Sequence, residues 1–326
     1  MNSSLYRDDA LLGPELVASV VAAYERRSEF HGRDDQTAYR LFHGYTEGCP
    51  GLTIDRLGEA ALITHKVDVG EHLGAIAKAL REQHGFTSVV AKANRNVNFD
   101  ASALCVRPLH GELPSDCLEV VDQGLHFRVS LHTRKHCGLF LDARPARGWL
   151  RENSLDRRIL NLFAFTGSLG VAALAGGARS VVHVDNKANA LAIARENHLL
   201  NNLPADPRDF LLGNVYQHLP HAQRAQLSFD GIVLDPPPQV PRRMARRRPQ
   251  GQDFGQFVKL VAPLMAPAGW LLCFFHRFDR SREAYEREVL DNAGISLEPI
   301  WRGTSGEDFP EHDPERKLRL TAFVRR

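Results

Sequence analysis

The 326-residue chain has no run approaching the roughly 18 apolar residues of a membrane span. Its start, MNSSLYRDDALLG, lacks the basic segment and apolar run of a secretory signal, so none is expected. Cysteine is scarce: Cys49, Cys105, Cys117, Cys137 and Cys273 are odd in number and scattered, and no C-x-x-C occurs. That speaks against a disulfide framework or zinc ribbon and predicts a reducing, cytoplasmic setting. Net charge is only +2, so no global basic field exists and any nucleic-acid signal must be local. There is no internal repeat and no low-complexity tract. His132-x-x-x-His136-Cys137 would converge on a metal only from a helix; the segment reads as strand or turn, and no metal is expected.

What is present is ordinary globular material, 43% hydrophobic and 25% charged, long enough for two domains. In residues 1–130, apolar spacing predicts helices over Pro14–Phe30 and Glu71–His84. Short alternating runs at Ala38–Phe42, Leu52–Asp55 and Ala60–His65 read as strands. Val106–Pro114 reads as loop, and Leu118–Leu131 as a hairpin turning near Gln123-Gly124. This is a mixed α+β module. In residues 131–326 strands and helices alternate. Strands are expected at Ile159–Phe163, Ser180–Val184, Asp209–Leu212, Gly231–Leu234, Trp270–Phe275 and Lys317–Val324. Helices are expected at Leu169–Gly176, Lys187–Asn201, Asp253–Met265 and Ser281–Asn292. The alternation is that of a doubly wound, Rossmann-like α/β sheet.

Such sheets bind ligands at the carboxyl ends of their strands. Three segments sit there. Leu160–Gly170 runs from strand through a glycine turn into helix, with Gly167 allowing close backbone approach. A dinucleotide site would want G-x-G-x-x-G, and only Gly167 and Gly170 are present. Val181–Asp185 ends in an acid about 20 residues on, whose two oxygens match the paired hydroxyls of a ribose; Asp185 also suits an N-cap for the following helix. Phe229–Pro238 is an apolar strand ending in Asp235 and three prolines, a stiff turn suited to a planar group.

Asn161-x-Phe163-x-Phe165-Thr166-Gly167, then Asp185, then Asp235-Pro-Pro, resembles class I S-adenosylmethionine (SAM) dependent methyltransferases. Gly138-Leu-Phe-Leu-Asp142-Ala-Arg144, Gly176–Ser180, Pro50–Arg56 and Gly111–Pro114 narrow the resemblance to bacterial 23S rRNA methyltransferases. Two relatives fit: a guanine-N7 module, and a cytosine-C5 enzyme without its N-terminal RNA-binding PUA domain. The likeness runs from about residue 38 to the end. It implies a methyltransferase sheet preceded by an α+β domain that positions RNA. It places Phe140, Asp142, Arg144, Asn161, Phe163, Phe165, Thr166, Gly167, Asp185, Asn186, Asn214 and Asp235 at the cofactor. Asn161 and Asn214 stand where Asp is frequent, and Phe165 where Gly is.

The acceptor decides the chemistry. Cytosine C5 needs a cysteine to add at C6 first. The resemblance puts His276 where the cytosine enzyme has that Cys, while Cys273 falls inside a strand and reads as a core thiol. Guanine N7 has a free lone pair and needs only alignment. Asp235, Pro236, Pro237 and His276 are the candidates at the target base, with His276 as hydrogen-bond partner or proton acceptor. Amino-group methyltransferases place an aromatic residue where Pro238 stands. Arg242, Arg243, Arg246, Arg247 and Arg248 follow the turn directly and suit RNA phosphates. The target base would have to leave its stack, which favours single-stranded or looped RNA. Cytosine chemistry, a tRNA, protein or small-molecule acceptor, a non-catalytic ribosome-assembly factor and a nicotinamide dehydrogenase are the alternatives.

Overall fold

The structure is a computed structural model that describes residues 13–66, 69–70, 72–93, 106–114, 117–132, 136–237 and 254–326. The chain forms two compact units, Met1–Leu141 with Gly306–His312, and Asp142–Ser305 with Asp313–Arg326. Among the described residues no helix is long and apolar enough to cross a membrane.

The first unit contains α1 (Gly13–Glu25), β1 (Ala38–His43), β2 (Leu52–Leu57), β3 (Ala60–His65), α2 (His72–His84), β4 (Ser88–Ala93), β5 (Val106–His110), β6 (Leu118–Asp122) and β7 (Leu125–Val129). The first five strands make one sheet in chain order, and β6 and β7 a separate hairpin. Leu16, Val20, Ile54, Ile63, Ile76 and Leu80 bring α1 and α2 onto the sheet as one core. The hairpin turns at Gln123 (φ 52°) and Gly124 (φ 73°), as expected for two left-handed turn residues.

Two expectations fail here. The helix over Pro14–Phe30 stops at Glu25, and Ser28–Phe30 is a separate single turn. The Arg27 guanidinium, 4% exposed, bonds Ala23 O, Arg40 O and the Glu47 carboxylate, which ties the chain down at that point. Val106–Pro114 is not all loop, because Val106–His110 is strand β5. Pro108 hides it; β5 is the last strand of its sheet, where a missing N–H is tolerated.

Gly306–His312 completes this unit. Asp308 accepts from Arg40 N at 2.9 Å through its carboxylate and from Arg27 Nη2 at 3.2 Å through its carbonyl. His43 Nε2 meets Glu311 at 3.0 Å.

The second unit contains α3 (Arg144–Asn153), β8 (Arg158–Leu162), α4 (Ser168–Ala175), β9 (Ser180–Asp185), α5 (Ala188–Leu200), β10 (Phe210–Leu212), α6 (Val215–Arg224), β11 (Phe229–Leu234), α7 (Phe254–Val261), β12 (Met265–Phe275), α8 (Arg282–Ala293), β13 (Leu297–Thr304) and β14 (Arg319–Arg325). The strand order is β10-β9-β8-β11-β12-β14-β13. The first five strands are parallel, and β14 is antiparallel to both β12 and β13. This is the doubly wound α/β sheet the alternation predicts. The order reverses between β8 and β11, so a crevice opens beyond their carboxyl ends.

The expected helix over Asp253–Met265 stops at Val261. A single 3-10 turn, Ala262–Leu264, follows, and Met265 already begins β12. Pro263 has no N–H for a continuing helix. Helices α3 and α6 and strands β4 and β13 were not expected. Gly148 interrupts the apolar spacing of α3, and Pro220 and Pro299 that of α6 and β13.

Candidate active site

Candidate residues lie at the carboxyl ends of five strands, β8 to β12. Beyond β8 the backbone is left-handed at alternate residues: Phe163 (φ 60°), Phe165 (φ 50°) and Gly167 (φ 76°). Non-glycine residues hold that conformation only against a local cost, which surrounding contacts must offset. Phe163 is anchored edge-on to Phe257 at 5.2 Å. Phe165 N donates to Asp185 Oδ2 at 2.8 Å. Thr166 is buried, and its carbonyl accepts from Asn197 Nδ2 at 2.8 Å. At Gly167 a side chain would meet Ala194 Cβ at 2.7 Å, so close packing as well as φ requires glycine.

Asp185 closes β9 and is 8% exposed. Its Oδ1 accepts from Lys187 N at 2.9 Å and its Oδ2 from Phe165 N. Each oxygen keeps a lone pair, so the carboxylate can still take two adjacent hydroxyls. It does not cap α5; the capping residue is Lys187, which makes no side-chain cap bond. Asn186 beside it is exposed. Asn214 does cap α6, its Oδ1 accepting from Tyr216 N at 2.9 Å. One lone pair on that oxygen is already used.

Asn161 is fully buried within β8, and its Nδ2 lies 3.2 Å from His183 Nδ1. Its Oδ1 is buried with no hydrogen-bond partner.

Asp235 and His276 follow adjacent strands β11 and β12. Asp235 Oδ1 and His276 Nε2 are 2.6 Å apart, with about a fifth and a quarter of each side chain exposed. Burial alone would lower the imidazole; the Asp235 carboxylate, its hydrogen bond and the charge of Asp142 outweigh that and raise it above its ordinary value. Pro236 is buried and Pro237 exposed. Cys273 is 0% exposed in the core, and burial pushes its thiol well above the ordinary range.

Asp142 and Arg144 stand at the start of α3, and Arg144 is 7% exposed. Phe140 belongs to the first unit, 39% exposed, with its ring 4.9 Å from His136. His132 Nε2 donates to Pro114 O at 2.9 Å. Arg242, Arg243, Arg246, Arg247 and Arg248 lie outside the described residues, as does Pro238.

Three features had no sequence signal. Arg319 is fully buried on β14 and donates to the carbonyls of Arg277 and Arg280, pinning the loop after His276. That loop presents Phe278, 58% exposed. His183 and His198 form a buried pair beside Asn161. Each depends on pairings between distant strands and helices.

The ligand set fits an adenosyl group: a largely buried carboxylate with free lone pairs, a tight glycine-bearing turn and an unpartnered buried acceptor at Asn161. Comparison with known proteins agrees. The S-adenosylmethionine-dependent methyltransferase family profile matches residues 39–324. The ribosomal RNA large subunit methyltransferase I of Cronobacter sakazakii is 30% identical over 284 residues, 85% of this chain and 71% of that protein. The protein of the same name from Klebsiella pneumoniae is 30% identical over 283 residues, with coverages of 85% and 70%. Among solved structures, SMU.776 complexed with SAH superposes with a TM-score of 0.85 at 20% identity, covering 98% of this chain and 83% of that one. The SAM-dependent methyltransferase from Agrobacterium tumefaciens gives 0.59 at 18% identity, with coverages of 85% and 87%. This chain is therefore an enzyme that uses SAM, and it belongs to the S-adenosylmethionine-dependent methyltransferase family.

Proposed function

We propose that this enzyme methylates a base of large-subunit rRNA at an atom that needs no covalent activation, with guanine N7 the first choice. The name shared by its 30%-identical relatives supports the RNA class. The observation that carries the choice of atom is the end of β12. Cys273, the thiol nearest His276 in sequence, is fully buried and strongly held as the neutral thiol, while His276 occupies the strand end, bonded to Asp235. A thiol in that state is not a nucleophile.

SAM supplies a methyl group on a sulfonium, and its transfer to guanine N7 moves a positive charge onto the base without releasing a proton. The protein's task is then alignment and electrostatics. Asp185 holds the ribose hydroxyls with its free lone pairs. The turn through Phe163, Phe165, Thr166 and Gly167 gives the close backbone approach, and Asp142 and Arg144 flank the cofactor. Asn214 spends its second lone pair on the adenine amino group. Asp235 lies at the target base and offsets the charge that appears there. His276, as the imidazolium paired with Asp235 through Nε2–H, has Nδ1–H left to donate to guanine O6, which neighbours N7 on the same edge. Pro236 and Pro237 stiffen the turn. The first domain and Arg242, Arg243, Arg246, Arg247 and Arg248 hold the RNA, with the base unstacked into the crevice.

The test is methyl-labelled SAM with large-subunit rRNA from a strain lacking this gene, followed by nucleoside mass spectrometry. Labelled 7-methylguanosine is expected. Labelled 5-methylcytosine would replace the N7 reading with the covalent one, and an unlabelled rRNA would remove large-subunit rRNA as the substrate. Cys273→Ala is expected to keep turnover within about threefold, whereas a covalent nucleophile would lose several orders of magnitude.

A further inference from the structure

Asn161, His183 and Phe210 are register partners across β8, β9 and β10. His183 and Phe210 stack at 5.0 Å with planes 5° apart. His198, from α5, meets both rings edge-on at 4.9 and 5.0 Å. Three polar contacts run through this layer: Asn161 Nδ2 to His183 Nδ1 at 3.2 Å, His183 Nε2 to His198 Nε2 at 3.0 Å, and His198 Nδ1 to Pro204 O at 2.6 Å.

The last contact sets the direction of the others. A carbonyl only accepts, so His198 carries its proton on Nδ1 and accepts at Nε2. His183 must then donate from Nε2 and accept at Nδ1. Only the NH₂ edge of Asn161 can supply that bond. The hydrogen-bond chain therefore fixes the Asn161 carboxamide in one orientation and leaves Oδ1 as a buried acceptor without a partner, as observed. The same His183 ring supports the cofactor turn. A Cβ on Gly170 would come within 2.2 Å of the ring's Cε1, and one on Gly167 would lie 3.3 Å from it.

We propose that His183 and His198 are positioning residues for SAM: their one-directional hydrogen-bond chain orients Asn161 and forms the floor under the Gly167–Gly170 turn. The proposal deepens the cofactor assignment and is independent of which base is methylated. A proton on His183 would occupy Nδ1, where it must accept, and would force Asn161 over. Cofactor affinity should therefore fall when the pair is protonated.

The surroundings keep the pair neutral. Burial pushes His183 well below its ordinary value, with His198 adding to it, and burial also lowers His198 against the opposing Pro204 bond and Asp209 charge. The facing residues of α4 and β10 carry no titratable group, and β8 contributes only Asn161. On α5, Arg195 turns away to Ala205 O.

Two measurements on the full chain test this. The first is SAM binding by calorimetry. His198→Leu removes the acceptor for His183 and should weaken SAM about tenfold, one net hydrogen bond. His198→Gln keeps an acceptor and a donor and should return binding to within about threefold of wild type. Folded His198→Leu protein with wild-type affinity would overturn the proposal, as would His198→Gln binding no better than His198→Leu. The second needs no variant: imidazole ¹⁵N spectra of the wild type across pH, with and without SAM. His183 Nε2–H and His198 Nδ1–H tautomers are expected, with the titration midpoint lower when SAM is bound, since linkage is reciprocal. An unchanged midpoint or the opposite tautomers would overturn it. Neither readout involves RNA, so failure of the rRNA assignment would leave it untouched.

Discussion

At the residue scale, the Asp235–His276 pair makes the sharpest prediction. His276 is raised above its ordinary value near 6.5. A histidine raised in the folded state adds stability that is fully present below the unfolded value and is lost as pH rises through the folded one. Turnover that uses the protonated imidazole should fall over the same window. His276→Asn should remove that alkaline limb from the pH–rate profile, and a profile of unchanged shape would remove the imidazole from the reaction. Asp185→Ala should weaken SAM by about a hundredfold or more, on the order of two hydrogen bonds to a charged acceptor at about 1.5–3 kcal/mol each, measured by calorimetry. These two acids were legible in the sequence for one reason: each ends an apolar strand run, so the pattern itself locates the strand end. The surroundings of Asn161 were not. Its partner His183 is 22 residues away, and only the register of two parallel strands brings them together.

At the element scale, β14 does more than finish the sheet. Arg319 reaches from its first position to the carbonyls of Arg277 and Arg280 and pairs with Glu315 at 2.6 Å. Arg319→Met would leave the carbonyls of Arg277 and Arg280 without this donor and remove the ion pair with Glu315, a loss of about 3 kcal/mol. For a unit of this size that lowers the melting temperature by roughly 6–12 °C. The freed loop follows His276 directly, so kcat should fall with the KM for SAM nearly unchanged; thermal melts and steady-state kinetics check the two halves. The alternation of strands and helices was readable because α5, β9, β11 and β12 have clean apolar periods. Four elements whose apolar spacing is broken by proline or glycine were not: β5 has Pro108, α6 has Pro220, α3 has Gly148 and β13 has Pro299. Tertiary packing supplies what local pattern cannot in those four.

At the scale of the whole molecule, a net charge of +2 gives RNA little general attraction, so binding must be concentrated. Changing Arg242, Arg243, Arg246, Arg247 and Arg248 to Ala should reduce the slope of log affinity against log salt by several charges, each phosphate contact adding about 0.7–0.9. A filter-binding titration over salt reads this, and an unreduced slope would move the interface elsewhere. The division into two units carries another consequence, through Gly306–His312. Asp308 bonds Arg27 from 281 positions further along the chain. A ribosome adding about 5–20 residues per second delivers that partner roughly 14–56 s after the arginine. The first unit to be synthesised is thus among the last to be finished. A nascent chain halted before Gly306 should be cut by protease within β1 to β3, and one extended past His312 should resist there.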